Sequence, residues 1–267
     1  MPYIKNIYAR EVLDSRGYPT ISVEVYTQCG ACGSAIVPSG ASSGIYEAME
    51  LRDMQDKRYF GQGVLKAVSH VNKQIALKLC GMCVLDQVNI DRAMMMMDGT
   101  DNKGNLGANA VLGVSIACAQ AAAACLSLPL YRYLGGCFAH TLPIPLINMI
   151  SGGKHCNNGL SFQEFMILPS GASDFKEGVR IGAEIFHQLG EILKLDGYSC
   201  SVSDEGGFAP ALSSNEKALA LVVKAIAQAG YQPGKDVTLA LDAAAPQLWV
   251  NGAYHLCDKE NMAMTTE

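Results

Sequence analysis

Two hydrophobic periodicities follow one another along this chain, and their order limits the folds open to it. Through the first forty residues the apolar pattern has period two. Ile21, Val23 and Val25 alternate with Ser22, Glu24 and Tyr26, as a half-buried strand requires. The turn Cys29-Gly-Ala-Cys32 and the run GSAIVP supply a hairpin partner. The period then lengthens to that of a helix, with Val64, Val68, Val71, Ile75 and Leu79 on one face, and an Ala-rich helical segment follows from Ala108 to Leu126. Strands first and helices afterwards predict an α+β unit over residues 1–140.

Beyond GGCFAHTLP, strand and helix patterns interleave. IPLINMI and FQEFMIL are short apolar runs suited to buried strands. A helix is expected over 174–195, with Phe175, Val179, Gly182, Ile185, Leu189 and Ile192 on its apolar face and Gly197 as its stop. Ser213 and Glu216 have capping-box spacing for a second helix that ends at Gly230. VTLALD reads as another buried strand and WVNGAY as a hairpin turning at Asn251-Gly252. Residues 141–267 are therefore expected to form the first part of an α/β, TIM-like barrel. A complete barrel of eight strand–helix units takes ~250 residues, so the expectation is an incomplete barrel with open strand edges.

Composition removes several classes of function. The net charge of −5 and the lack of any basic run exclude a nucleic-acid surface, which needs clustered Lys and Arg. The N-terminal MPYIKNIYARE has no apolar core of the signal-peptide kind, so the expected compartment is the cytoplasm. Residues 106–130 carry no charge and are long enough to span a bilayer. Ala, Gly and Ser dominate them, however, with Asn109 and Gln120 inside and Pro129 at the end, so a buried helix is expected rather than a membrane span. The ten cysteines include two CxxC pairs, Cys29–Cys32 and Cys80–Cys83, set too far apart for a zinc ribbon. They are read as small apolar residues in a reducing compartment.

The chemistry gathers at two stretches. SVSDEGGFAP sets Asp204 and Glu205 against Gly206-Gly207, and VTLALDAAAP ends an apolar strand on Asp242. An acid at a flexible turn and an acid at a strand end suit acid–base work beside a metal. The bland alternatives are a solvated turn for Glu205 and a helix N-cap for Asp242, and both stay open at this point.

Six segments, EVLDSRGYPT, VPSGASSGIYEA, GANAVLGVSIA, LPIPLINMISGG, QEFMILP and DEGGFAP, together resemble enolase, the glycolytic phosphopyruvate hydratase family, in the family's own order. The resemblance runs from about Ile4 to Glu267. It implies an N-terminal α+β capping domain over residues 1–140 and part of an enolase-type barrel over 141–267. It implies a Mg²⁺-dependent lyase that interconverts 2-phosphoglycerate and phosphoenolpyruvate, as a homodimer. Glu205 matches the acid that protonates the departing hydroxyl, and Glu164 lies near that acid–base machinery. His155 and Gln163 match substrate contacts. Asp242 matches a magnesium carboxylate, and Ser42 sits in a mobile loop that contributes oxygens to a second magnesium and to the substrate. Gln163 and Glu164 both reach the site only if the pair sits at a strand end where the pleat breaks.

Some motif positions depart from the family's usual residues. Tyr18 stands for Asn, Ser43 for Thr, Ser151 for Asn, Ser203 for Gly, and Pro246-Gln247 for Ser-Glu. The resemblance also assigns two further magnesium carboxylates and the proton-abstracting lysine to positions past residue 267, so the activity of these residues alone is expected to be poor. The alternative is a catalytically inactive enolase-like protein that acts as a binding partner or surface adhesin.

Overall fold

The structure, a computed structural model, describes residues 1–40, 44–256 and 263–264. The chain divides into two compact units, Met1–Thr141 and Leu142–Glu267.

In the first unit, β1 (Ile4–Leu13), β2 (Pro19–Thr27) and β3 (Cys32–Val37) form an antiparallel sheet in sequence order. The alternation in β2 buries Ile21, Val23 and Val25 completely. β1 shows no clean alternation because its register with β2 shifts at a bulge between Ile4 and Asn6. The helical stretch after Val64 is α1 (Leu65–His70), a π turn over Val71–Ile75, and α2 (Ala76–Leu79). Then come α3 (Gln87–Asp98), α4 (Ala108–Cys125) and α5 (Leu130–Gly135).

The Ala-rich helix α4 is long and apolar enough to cross a membrane by length and composition, yet 56% of that stretch is buried inside the unit. Its small residues explain the burial: the helix backbone lies almost on the sheet. A Cβ at Gly33 of β3 would stand 2.2 Å from the Ala117 carbonyl oxygen and 2.3 Å from the Ala121 nitrogen. On the helix side, a Cβ at Gly113 would meet a Val23 methyl at 2.8 Å. Ala110, Val114, Ala117, Cys118 and Ala121 join the valines of β2 in one core.

In the second unit, β4 (Ile147–Ser151), β5 (Glu164–Leu168) and β6 (Thr238–Asp242) form a sheet in which both neighbouring pairs are antiparallel. An α/β barrel built of strand–helix repeats would have made them parallel. The connections explain the difference. β4 reaches β5 through a loop without a crossover helix, so β5 returns alongside it. Between β5 and β6 lie two long helices, α6 (Phe175–Leu195) and α7 (Asn215–Gln228). Two traverses bring the chain back to the end it left, so β6 runs against β5. No closed barrel is present among the described residues.

Two helix details differ from the sequence reading. The buried face of α6 is Gly178, Ile181, Gly182, Ile185, Leu189, Ile192 and Leu193, while Phe175 and Val179 are exposed. At the start of the helix the buried stripe runs through Gly178 and Ile181, so Phe175 and Val179 fall on its exposed side. The N-cap of α7 is Ser214, whose side chain accepts from the Lys217 N–H at 3.2 Å, rather than Ser213. β7 (Trp249–Val250) and β8 (Ala253–His255) form the expected hairpin, with Asn251 and Gly252 both at positive φ. β9 (Ala263–Met264) pairs with β8. Among the described cysteines only Cys118 is buried, so the apolar-filler reading fits that thiol and not the exposed Cys29, Cys32, Cys80, Cys137 and Cys200.

The contact at Gly33 gives a sharp test. Gly33→Ala drives a methyl into the backbone of α4, which no rotamer can relieve. A loss of at least about 3 kcal/mol in denaturant unfolding is expected. A loss under about 0.5 kcal/mol would show that the helix does not lie so close to the sheet.

Candidate active site

The start of β5 organises the site. Glu164 is in register with Ser151 of β4 on one side and Asp242 of β6 on the other, and residues in register share a face of the sheet. Gln163 sits one position earlier, where the pleat gives way to loop. Its N–H donates to the Asp242 carbonyl at 2.9 Å, and its own carbonyl accepts from the Gly152 N–H at 2.9 Å. Its side-chain amide donates to Asp242 Oδ2 at 3.5 Å and accepts from Gln247 Nε2 at 3.3 Å. Both Gln163 and Glu164 thus approach Asp242, as a strand-end position allows.

Asp242 holds the turn that follows it: its Oδ1 accepts from the Ala244 N–H at 2.9 Å, just before a short 3₁₀ turn over Ala245–Gln247. The helix-start and site readings of this acid are compatible. A carboxylate has about four acceptor positions, and these two bonds leave the others free of them.

Glu205 arrives on a turn tied to the edge of β4. Ser151 N–H donates to the Phe208 carbonyl and Phe208 N–H to the Met149 carbonyl, both at 2.9 Å. Gly206 and Gly207 are both left-handed, and a Cβ on Gly207 would meet Ser151 Oγ at 2.9 Å. His155 closes a short 3₁₀ turn over Gly153–His155. Its side chain is 2% exposed and its Nδ1 lies 3.4 Å from Glu205 Oε2 and 4.0 Å from Asp204 Oδ1. The alignment is too poor for a hydrogen bond, and both ring nitrogens are buried without one. One ligand atom each from His155, Glu164 and Glu205 falls within a 4.8 Å cluster.

Electrostatics single out Glu164. Burial pushes its carboxyl above the usual range, the charges of Asp242 and Glu205 push it further, and His155 opposes them. A carboxyl held this way keeps a proton at higher pH than a solvated one.

The motif departures at positions 151 and 203 meet in space. Ser151 Oγ and Ser203 Oγ are 2.9 Å apart, and both reach the Gly206 carbonyl, at 2.8 Å and 2.5 Å. Ser203 does not take a left-handed backbone, so its Cβ costs nothing there. Tyr18 is half exposed beside Arg16, whose guanidinium lies 5.7 Å from its ring centre. Ser42 and Ser43 lie outside the described residues. Asp204, read from the sequence with Glu205 as one of two adjacent turn acids, also lies beside His155, and Gln247, read only as a motif departure, bonds Gln163.

Over residues 4–134 the sequence matches the family described as enolase, N-terminal domain, and over residues 139–266 that described as enolase, C-terminal TIM barrel domain. The chain belongs to the enolase family. It is a lyase of the enolase superfamily, and its antiparallel β4–β5–β6 sheet is part of the barrel domain. The family uses a divalent metal, and the donor atoms here fit one in kind. Asp242 supplies a hard carboxylate with open acceptor positions, while the cluster of His155, Glu164 and Glu205 mixes nitrogen and oxygen donors.

The raised carboxyl of this enolase-family chain has a stability consequence. With the folded pKa above the unfolded one, Glu164 costs nothing at low pH, and its contribution turns unfavourable as pH rises through the folded value. Glu164→Gln is therefore expected to gain stability relative to the unchanged chain as pH rises above the ordinary carboxyl range. Urea unfolding in the presence of a chelator reads this directly. A difference that is flat with pH, or of opposite slope, would contradict a desolvated Glu164.

Proposed function

We propose that the protein carrying this chain is a cytoplasmic, Mg²⁺-dependent enzyme that reversibly dehydrates 2-phosphoglycerate to phosphoenolpyruvate. The observation that carries this reading is the approach of Glu164, Glu205 and a buried, unpartnered His155 within 4.8 Å. Elimination of water needs a proton delivered to the departing hydroxyl, and Glu205, on its two-glycine turn, is the exposed carboxyl that can reach a bound ligand. Glu164, protonated more readily than a solvated acid, keeps a proton beside Glu205. His155 has two ring nitrogens with no protein hydrogen bond, so it can contact substrate oxygens. Gln163 steadies Asp242 through both main chain and side chain.

Magnesium prefers oxygen donors in an octahedral shell and keeps several waters. That preference favours Asp242 as its carboxylate ligand and leaves the histidine-containing cluster to proton handling. Bound there, the ion would supply positive charge to the substrate's carboxylate.

The test is made in the protein that carries this chain. Glu205→Gln keeps shape and polarity but delivers no proton, so kcat for phosphoenolpyruvate formation should fall ~10²–10⁴-fold with little change in KM. Exchange of the C2 proton with solvent should persist. If that exchange were lost as fully as on metal removal, Glu205 would not be the leaving-group acid. Asp242→Asn should instead raise the magnesium concentration needed for half-maximal activity. Absence of any turnover in the unchanged protein would favour the inactive binding protein.

A further inference from the structure

The first unit brings together two thiols that the proposed chemistry does not use. Cys29 lies in the turn between β2 and β3, and Cys125 is the last residue of α4, 96 positions later. Their sulfurs are 3.3 Å apart. Thr27 Oγ1 sits beside both, 3.2 Å from Cys29 Sγ and 3.8 Å from Cys125 Sγ. Cys32, which completes the CxxC spacing with Cys29, has its sulfur on the Gly33 carbonyl at 3.9 Å. The spatial partner of Cys29 is therefore the distant cysteine and not the near one.

The two thiols are unlike. Cys29 is exposed, and hydrogen bonds from the Thr27 hydroxyl, the Ala31 backbone and the Cys125 thiol lower its pKa to about 7. Cys125 is half-buried; burial, and then its bond to Cys29, push its thiol up. One sulfur is reachable and readily ionised, while the other is shielded and held against the first.

We propose that Cys29 and Cys125 form an oxidation site for low-molecular-weight disulfides, with Cys29 as the attacking thiol and Cys125 as the resolving thiol. The Cys29 thiolate attacks one sulfur of the small disulfide. A Cys29–S–S–R bond forms, the R–S–S–R bond breaks, and one RS⁻ leaves and takes a proton. Cys125 then loses its proton to water and attacks Cys29 Sγ. The mixed disulfide breaks, a second RS⁻ leaves, and the Cys29–Cys125 bond remains. The two protein thiols have given up two electrons and two protons, and the small disulfide has become two thiols. Closing the sulfurs to the ~2.05 Å of a disulfide takes a shift of a little over 1 Å, which an exposed hairpin turn can supply. The product staples the β2–β3 turn to the C-terminal end of α4, across the contact where Gly33 meets that helix.

The experiment exposes the chain to oxidised glutathione at about pH 7, quenches with acid, and maps peptides without reduction. The Cys29–Cys125 pair is the expected product. Thiolate fraction and nucleophilicity together make a thiol of this pKa about threefold faster than an ordinary exposed one at that pH, so Cys29 should carry the first glutathione. Cys125→Ser should stop at the mixed disulfide on Cys29. Cys29→Ser should leave Cys125 unmodified over the same time. Cys32→Ser should cross-link as the unchanged chain does. A dominant Cys29–Cys32 bond, first modification at Cys125, or no reaction at Cys29 would each overturn the proposal.

Discussion

Everything in the candidate site hangs on the register of β5. With Glu164 opposite Ser151 and Asp242, the next residue, Phe165, points the other way and is wholly buried against α6 and α7. A slip of one residue would exchange the two, placing a carboxylate among Ile185, Leu189 and Leu221 and an aromatic ring in the site. Burying that charge costs several kcal/mol, so the apolar core selects the pairing that also gathers the acids. The site is a by-product of packing the opposite face.

The same register explains why the acids differ in behaviour. Glu164 lies in the interior of the row, partly buried, with Asp242 beside it and Glu205 near. Asp242 sits at the end of its strand, where an N–H from Ala244 and the amide of Gln163 satisfy part of its charge. Glu205 stands on an exposed turn held to β4 by backbone bonds on one side only. One carboxyl thus lies partly buried beside two others, one is bonded at a strand end, and one is carried on an exposed turn. Three residues of similar chemistry diverge because the strand, the strand end and the turn give them different surroundings.

Much of this was legible in the sequence because it rests on local pattern. The period-two strand at Ile21–Val25, the Ala-rich helix, the Asn251-Gly252 hairpin and the acids of DEGG and LALD follow from periodicity and turn chemistry. Strand direction was not drawn from the apolar runs themselves, which read the same in either direction, although it follows from the two helices expected between FQEFMIL and VTLALD. The buried face of α6 was misplaced at its start, where small Gly178 and not the apolar Val179 turns inward, because periodicity weighs a glycine as no apolar signal. The pairing of Cys29 with Cys125 had no local signal, and the nearer CxxC partner drew attention instead. The apposition of Ser151 and Ser203 was equally invisible, though each had been noted as a departure.

Those two serines show how a changed motif can keep its geometry. An Asn at position 151 and a Gly at position 203 are replaced by two hydroxyls 2.9 Å apart that both stand within bonding distance of the Gly206 carbonyl, and their two protons serve two of these three contacts. That carbonyl belongs to the turn whose left-handed glycines present Asp204 and Glu205, and Asn148 also reaches it, at 3.4 Å. A carbonyl satisfied by side chains leaves the turn less need of a particular backbone path, so the conformational freedom of a glycine at 203 is not required. Pro246-Gln247 works similarly on the far side of the row: Pro246 sits at the start of the 3₁₀ turn, and Gln247 gives the Gln163 amide a neutral partner in place of the usual carboxylate. Both departures therefore bear on the supports of Glu205 and Asp242, and neither caps the two carboxylates with a new charged partner.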